Sequence, residues 1–497
     1  MRREIGQLWP PVLAAACSIA ISVPSATGDA LWGDEVASAR ALEEPGLGEL
    51  LAHVRLTEST PPGWYTVAWT FSSFVDSVEQ LRLLSVLFAA AAAALTAAWA
   101  TRLLGDRTAG SFAGALVALG TTPSTYAGQL RAYALLMLLS VCFGLLVTLV
   151  AVRPALLSLL GLAVVTAAGL LTHYFFVFTV LAGIAWLWTA RPLAVGRRAA
   201  TTAVGCGTLA FMPWLPSFLE QRSRGRYGWI GDFDAVSVLT LPGSLFFGAD
   251  GVLYGVARIV LALGLIQGAL VLRRRAPAGG AVVALGLLPL AGAALVWVAG
   301  DPVFIERNLL GTAPYLAIAV AASLLRLRGR LRLVAACSGV AIVALAALFA
   351  HATLHRTAYD RTARALVDLG WTADAPLIID APTGETSLRF ALAWYLPGHP
   401  ALARASPGLV CPSVFAVGHS STLGRWLSEH PTRAHRLRAL PFYDHPVRGR
   451  RDGSIVVARV EGQPRPVAIP GHAFVVRGGG GACELAPGPR VPRPRGS

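Results

Sequence analysis

Leu31-Trp-Gly-Asp-Glu-Val-Ala-Ser-Ala-Arg40 follows directly on an apolar run at residues 8–26 that is long enough to cross a bilayer. Adjacent carboxylates where an apolar helix could simply continue bring no gain to a hydrophobic protein, so Asp34 and Glu35 read as chemistry placed at a membrane surface. The rest of the chain bears out that setting. Of its 497 residues 55% are hydrophobic and 14% charged, and the mean hydropathy is +0.59. An ordinary soluble domain of this length is far less apolar.

Requiring about 20 apolar residues per crossing gives eleven spans, at 8–26, 82–101, 108–124, 132–152, 154–171, 173–190, 199–218, 251–272, 279–299, 308–325 and 333–350. Small-xxx-small patterns such as Gly110 to Gly114 are read as helix-packing contacts. The basic residues, all arginine, sort by side. With the N-terminus cytoplasmic, the cytoplasmic segments hold Arg2, Arg3, Arg102, Arg107, Arg153, Arg191, Arg197, Arg198, Arg273, Arg274, Arg275, Arg326, Arg328, Arg330 and Arg332, against only Glu4 and Asp106. The opposite segments up to residue 350 hold 9 arginines and 15 carboxylates. This is the positive-inside pattern. It also accounts for the net charge of +15 without nucleic acid, because the basic clusters are short loops between spans rather than a groove. A cleaved secretory leader is the other reading of the N-terminus; a retained first helix keeps the parity of every later loop consistent.

Beyond His351 the composition changes, with 18 arginines and 10 acids and no further span. Pro376 to Asp380 and Ser454 to Val460 read as strands and Glu385 to Leu396 as an amphipathic helix, which predicts a small α/β domain at 351–485 and a disordered tail at 486–497. Eleven crossings put that domain outside the cytoplasm. The fold class expected is a polytopic α-helical membrane protein of about eleven transmembrane helices, a catalytic module over 1–350 with a first outer loop at 27–81, and an extracytoplasmic α/β domain. Four of the six cysteines, Cys17, Cys142, Cys206 and Cys337, sit in apolar runs as packing residues. Cys411 and Cys483 lie in the polar C-terminal part, where an oxidising compartment would allow them to pair.

The outer face gathers the polar clusters: Asp34-Glu35, Ser59-Thr-Pro-Pro-Gly-Trp-Tyr65, Gln129-Leu-Arg-Ala-Tyr133, Thr172-His-Tyr174, Arg222 to Trp229 and Glu306-Arg-Asn308. The cytoplasmic helix ends offer little but arginine, so a site belongs on the outer side. His351 and His355 share a helical face without an accompanying acid, which makes a poor zinc motif. Gly418-His-Ser-Ser-Thr fails the nucleophile-elbow pattern at its last position. Gly478 to Gly481 lack the Lys-Ser/Thr of a phosphate loop.

The acidic pair after the first helix, the Pro61-Pro62 and aromatic segment in the same loop, Arg82 opening the second helix, Arg131 and Tyr133 opening the fourth, and Arg307-Asn308 with Pro314 opening a late one together resemble the GT-C superfamily. The protein mannosyltransferase-like branch, glycosyltransferase family 39 and its bacterial relatives including the lipid A aminoarabinose transferases, is the branch meant. The likeness covers about residues 8–350 and rests on order and topology. It implies a sugar donor carried on a polyprenyl phosphate and a first-loop acid as base. Relatives carry a Lys before the Pro-Pro pair where this chain has Thr60, which puts any contact from that position in doubt.

The residues fit such chemistry on their own terms. A lipid phosphate leaves readily, so one carboxylate that deprotonates an incoming hydroxyl suffices for a single inverting displacement. Asp34 is the expected base; Glu35 orients it, binds acceptor or holds a divalent ion. A helix N-terminus with acids favouring the dipole is the structural alternative. No cofactor is certain, and a divalent metal ion is the one candidate. Arg131, Arg307 and Arg258 are the expected phosphate ligands, since guanidinium forks match phosphate geometry, with snorkelling the alternative for Arg258. Pro62, Tyr65, Tyr133, His173, Tyr174 and Glu306 complete the expected substrate contacts; for His173 a turn-capping role stands beside ligation. The expected partners are a polyprenyl-phosphate sugar donor, membrane lipids and an extracytoplasmic acceptor (protein, glycan or lipid), and no nucleic acid. The rival functions are a lipid-linked sugar transporter or flippase, which would place ionisable groups near the midplane and show inverted repeats, and a non-catalytic membrane scaffold, which leaves the acid-rich first loop unexplained.

Overall fold

The computed structural model describes residues 2–190, 194–225, 234–248, 252–301, 303–353 and 359–372, and beyond these the segments 377–380, 386–398, 402–404, 409–411, 413–419, 432–441, 454–462, 467–468, 474–476 and 484–485. The chain forms two compact units, one of Met1–Gly28 and Ser38–Ala352, the other of Asp29–Ala37 and Thr353–Ser497. The Cys411 and Cys483 pairing, His355, Trp229, Gly478 to Gly481 and the tail at 486–497 lie outside the described residues.

The first unit is helical: α1 (Arg2–Gly28), the later turns of α2 (Gly33–Leu42), α3 (Leu47–Thr57), α4 (Gly63–Ser72), α5 (Arg82–Leu104), α6 (Arg107–Leu119), α7 (Thr121–Ala127), α8 (Tyr133–Val152), α9 (Leu156–Thr172), α10 (Phe176–Thr189), α11 (Ala194–Leu209), α12 (Leu215–Ser223), α13 (Ala235–Phe246), α14 (Val252–Arg273), α15 (Ala276–Val298), α16 (Ala313–Ser323) and α17 (Gly329–Thr353). Inside hydrocarbon only a helix satisfies every backbone N–H and C=O within its own segment. Eight helical stretches among the described residues are long and apolar enough to cross a membrane, and each falls on an expected span. The other three expected spans fall on the shorter helices α6, α9 and α10. The expected 108–124 span is divided because α6 ends at Gly120 and α7 begins with Thr121. One further short apolar helix, α13, was not among the expected spans, since its 12 residues fall below the length of a crossing. The protein is a multi-pass membrane protein.

Small side chains set how closely these helices approach. Along α5 the alanines at 89, 92, 93, 97 and 100 are buried and present a nearly flat stripe. A Cβ on Gly114 of α6 would lie 2.7 Å from the Cβ of Ala97 and 2.7 Å from that of Ala14, so α1, α5 and α6 pack through backbone contact there. Gly110, one turn earlier, faces Thr101 and the Ala97 carbonyl in the same way. At the arginine-rich end Asp106 caps α6 by accepting from the Ala109 N–H at 2.8 Å, and it also holds Arg332 of α17. That ion pair fastens the N-terminus of α17 to the α5–α6 turn.

In the second unit α18 (Tyr359–Asp368) buries Tyr359, Ala363 and Leu366 on one face. Its strands are β1 (Leu377–Asp380), β2 (Leu402–Arg404), β3 (Leu409–Cys411), β4 (Ser413–His419), β5 (Thr432–Pro441), β6 (Ser454–Gly462), β7 (Val467–Ala468), β8 (Phe474–Val476) and β9 (Glu484–Leu485), with α19 (Thr386–Tyr395) between the first two. Six strands form one sheet in the order β2-β8-β1-β4-β6-β5, and β7-β3-β9 form a second. β1 and β4 run parallel, while the remaining pairs are antiparallel. Leu377 and Ile379, two apart and so on one face of β1, are fully buried. The segment 29–37 joins this unit through the Leu31 N–H, which donates to the Tyr395 hydroxyl of α19 at 2.6 Å.

Gly114→Leu should therefore cost about 1–3 kcal/mol by overpacking and lower the melting temperature of the detergent-solubilised protein. Gly205→Ala, on a helical position with no atom within 4 Å of the added Cβ, should leave the melting temperature unchanged or raise it through a stabilisation of about 0.4–1 kcal/mol. Equal effects from the two substitutions would contradict this packing.

Candidate active site

The polar residues of the first unit gather where α8 begins. Arg131 lies two residues before α8 and only 9% of it is exposed. A guanidinium buried this deeply requires acceptors, and three converge on its Nη1: the Glu58 carboxylate at 3.3 Å, the Tyr65 hydroxyl at 3.3 Å and the Ser38 hydroxyl at 3.0 Å. The Tyr65 hydroxyl in turn donates to Glu58 Oε2 at 2.6 Å and stands 3.2 Å from the Thr60 hydroxyl. Burial, before any other influence, pushes the Tyr65 phenol up, with Arg131 acting the other way, so it stays a neutral donor.

Local sequence explains how distant residues arrive there. Glu58 ends α3 as its C-cap, and the Pro61-Pro62 pair turns the chain into α4, where Gly63 opens the helix. A Cβ on Gly63 would lie 2.6 Å from the Leu171 carbonyl oxygen, so α4 rests its backbone directly on the end of α9. Pro62 is the N-cap of α4, and Thr60 meets the Tyr65 hydroxyl.

Around this cluster the turn between α9 and α10 supplies His173, which is 3% exposed. Its Nδ1 accepts the Phe175 N–H at 3.3 Å, and its ring stands 5.7 Å from that of Tyr133, which also meets Tyr126 at 4.6 Å. Burial pulls the His173 pKa below the ordinary histidine value, and the charges of Arg131 and Arg307 pull it further. His173 is therefore a neutral ring near two cations that lie 176 positions apart in sequence, one preceding α8 and one in the 3₁₀ turn Glu306–Thr312 before α16. Within that turn the Asn308 side chain donates to the Val303 carbonyl at 2.9 Å, and Glu306 is exposed.

Two other expected site residues make bonds between helices. Tyr174 donates to Gln221 Oε1 at 2.5 Å and accepts from the Trp214 indole at 3.0 Å, and Gln221 donates to the Val54 carbonyl at 3.0 Å. This chain of bonds ties the α9–α10 turn to α12 and α3. Arg258 sends its Nε to the Phe247 carbonyl at 2.8 Å and lays its stem on Gly243, joining α14 to α13.

In the second unit Asp34 and Glu35 open α2. Glu35 is fully buried and its Oε2 accepts the Trp32 N–H at 3.3 Å, the reciprocal arm of a capping box. That use makes Glu35 a helix-capping carboxylate, whereas Asp34 is half-buried in the first turn. Among the described residues no group of three or more His, Cys, Asp or Glu side chains is placed to hold a metal ion.

Glu58, Ser38 and the fully buried Arg82 at the start of α5 were not among the expected site residues. An acid directly ahead of Ser-Thr-Pro-Pro was the available signal for Glu58; its bond to Arg131, 73 residues away, was not readable from spacing.

No family model matches the chain, and no curated protein matches it. Solved structures do, the following two among them. The crystal structure of ArnT from Cupriavidus metallidurans in the apo state superimposes with a TM-score of 0.53 at 14% identity, covering 90% of this chain and 97% of that one. The same enzyme bound to undecaprenyl phosphate gives a TM-score of 0.52 at 14% identity with the same coverage. The chain has the GT-C fold. The resemblance seen in the order of motifs extends to the architecture.

Glu58→Ala would strand a buried guanidinium and remove the acceptor of the Tyr65 hydroxyl, so it should destabilise by about 3–5 kcal/mol, the usual cost of breaking a buried ion pair. Tyr65→Phe, which removes one hydrogen-bonding group, should cost about 1–3 kcal/mol. Thermal unfolding of the two variants in one detergent checks the order; a Glu58→Ala protein as stable as Tyr65→Phe would show the pair to be incidental.

Proposed function

We propose that this chain is a membrane glycosyltransferase that moves a sugar from a polyprenyl-phosphate donor to an extracytoplasmic acceptor (protein, glycan or lipid). The observation that carries the reading is the buried Arg131 at the start of α8, held by Glu58, Tyr65 and Ser38, within a fold shared with ArnT. A guanidinium fixed in an enclosed place suits a phosphate better than any neutral ligand. The apolar helices beside it suit a prenyl tail. The ArnT structure bound to undecaprenyl phosphate supports the lipid class. The arginine bias of the loops supports a site on the outer side of the membrane.

In the reaction proposed, Asp34 takes the proton of the acceptor hydroxyl as its oxygen attacks the anomeric carbon. The bond from that carbon to the donor phosphate breaks, and polyprenyl phosphate leaves with the electron pair. Arg131 and Arg307 compensate the charge that grows on the departing phosphate, a stabilisation worth most where water is excluded. Glu58 and Tyr65 hold the Arg131 guanidinium in plane, so its direction is fixed before the donor arrives. Glu35, used as a helix cap, keeps the first turn of α2 formed and leaves Asp34 as the base. Ser38, four residues beyond Asp34 in α2, hydrogen-bonds Arg131.

Purified protein incubated with a panel of polyprenyl-phosphate sugars and acceptors should release polyprenyl phosphate only when an acceptor is present. Asp34→Asn should slow that release by about 10²–10⁴-fold, the usual contribution of a general base, at an unchanged level of folded protein. Activity of Asp34→Asn within threefold of wild type, or release that ignores the acceptor, would sink the assignment.

A further inference from the structure

A second cavity-lined site lies at the other end of α10. The 14 residues of that helix separate the His173 turn from Thr189 by about 20 Å. There, where α14 ends and α15 begins, is an open cavity of about 600 Å³. It is lined by Arg273, Arg274, Arg275 and Thr189 and by the apolar Val283, Ala284, Leu287 and Leu288. The Trp186 indole donates to the Pro277 carbonyl at 3.1 Å and closes one side.

Three features make this more than a basic loop. Arg275 is fixed by donating to the Leu104 carbonyl at 2.6 Å, so the rim has a built geometry. Arg273 and Arg274 are exposed, and among the described residues no carboxylate pairs with either. The nearby acid of this face, Asp106, is committed to Arg332 and the α6 cap. The cavity also takes in the first turn of the 23-residue helix α15, whose N–H groups lack intrahelical acceptors and add positive potential. Cations at a membrane surface above an apolar wall, with Leu287 and Leu288 both more than 40% exposed, require a ligand that is anionic at one end and greasy at the other.

We propose that this cavity binds an anionic phospholipid of the leaflet at the arginine-rich face, its phosphate between Arg273, Arg274 and the start of α15 and its acyl chains along Leu287 and Leu288. Basic pockets between transmembrane helices recognise such head groups, and a drug-sized cavity of ~300–1,000 Å³ leaves an inorganic phosphate mostly unsupported. The site is separate from the proposed donor site and does not rest on that function.

Native mass spectrometry of the full-length protein released from nanodiscs of equal phosphatidylglycerol and phosphatidylcholine tests it. Wild type should retain phosphatidylglycerol at least tenfold over phosphatidylcholine, and 10 mM inorganic phosphate should not displace it. Arg273→Gln with Arg274→Gln should abolish the preference, while Arg326→Gln with Arg328→Gln, the same charge loss elsewhere on that face, should leave it intact. Ala284→Phe, which fills the apolar wall and keeps every charge, should lower retention and stands in if the arginine variant does not fold. No preference in wild type, equal loss in both arginine pairs, displacement by phosphate, or full retention by Ala284→Phe would each overturn the proposal.

Discussion

Hydrocarbon offers a backbone no hydrogen-bond partner, and everything in the first unit follows from that. Crossing segments must be helices. Their close approach is then governed by side-chain size, which is why alanines of α5 and glycines of α6 meet at backbone distance. Polar function is confined to the helix ends, and whatever charge is buried there must bring its own compensation. Arg131 illustrates the last requirement: its Nη1 meets a carboxylate, a phenol and a serine hydroxyl, each from a different helix or helix end. The cluster thus holds α2, α3, α4 and the start of α8 together while keeping a cation oriented in a low-dielectric setting. Stability and chemistry draw on the same bonds there, a coupling that makes such sites expensive to alter.

The two ends of the helical unit solve different electrostatic problems. At one end the buried Arg131 and the half-buried Arg307 come from distant parts of the sequence and both act on the buried His173. At the other the arginines are exposed, mostly contiguous in sequence, and only some are tethered, Arg332 to Asp106 and Arg275 to a carbonyl. Burial raises the value of each interaction at the first end because water no longer screens it. Exposure at the second makes each arginine individually weak, so recognition there needs several charges and an apolar wall acting together. The contrast is the physical basis on which a reacting phosphate is proposed for the first end and a resident lipid for the second.

Much of this was legible in the sequence because length and hydropathy decide what crosses a membrane. Eight of the eleven expected spans fall on helices long and apolar enough to cross a membrane and three on shorter helices, and the ends that carry Arg131, His173 and Arg307 were located by the turns between them. The short helices were not. α6 and α7 are divided at Gly120, a break that the Gly120-Thr-Thr-Pro123 stretch marks but a span count by hydropathy runs through. α13 is half as long as a crossing and so was passed over. Within the site, residues adjacent to a helix start were found, whereas Glu58 and Ser38 were missed because their importance comes from partners 73 and 93 residues away. Tyr174 and Arg258 show the converse. Each is polar and lies near a helix end, yet the bonds seen for them join helices to one another.

Asp34 and Glu35 look equivalent in the sequence, and geometry separates them. A carboxylate at the third helical position can reach back to the N-cap N–H, whereas one at the second cannot do so as readily. Glu35 takes that bond and loses all exposure, which spends its lone pairs on the backbone and fixes the direction of the helix. Asp34, one residue earlier, keeps part of its surface in the first turn of the helix. A base must be ionised, reachable and fixed in direction. On the proposed reading the capping residue provides the third of these for its neighbour, a division of labour rather than a shared proton.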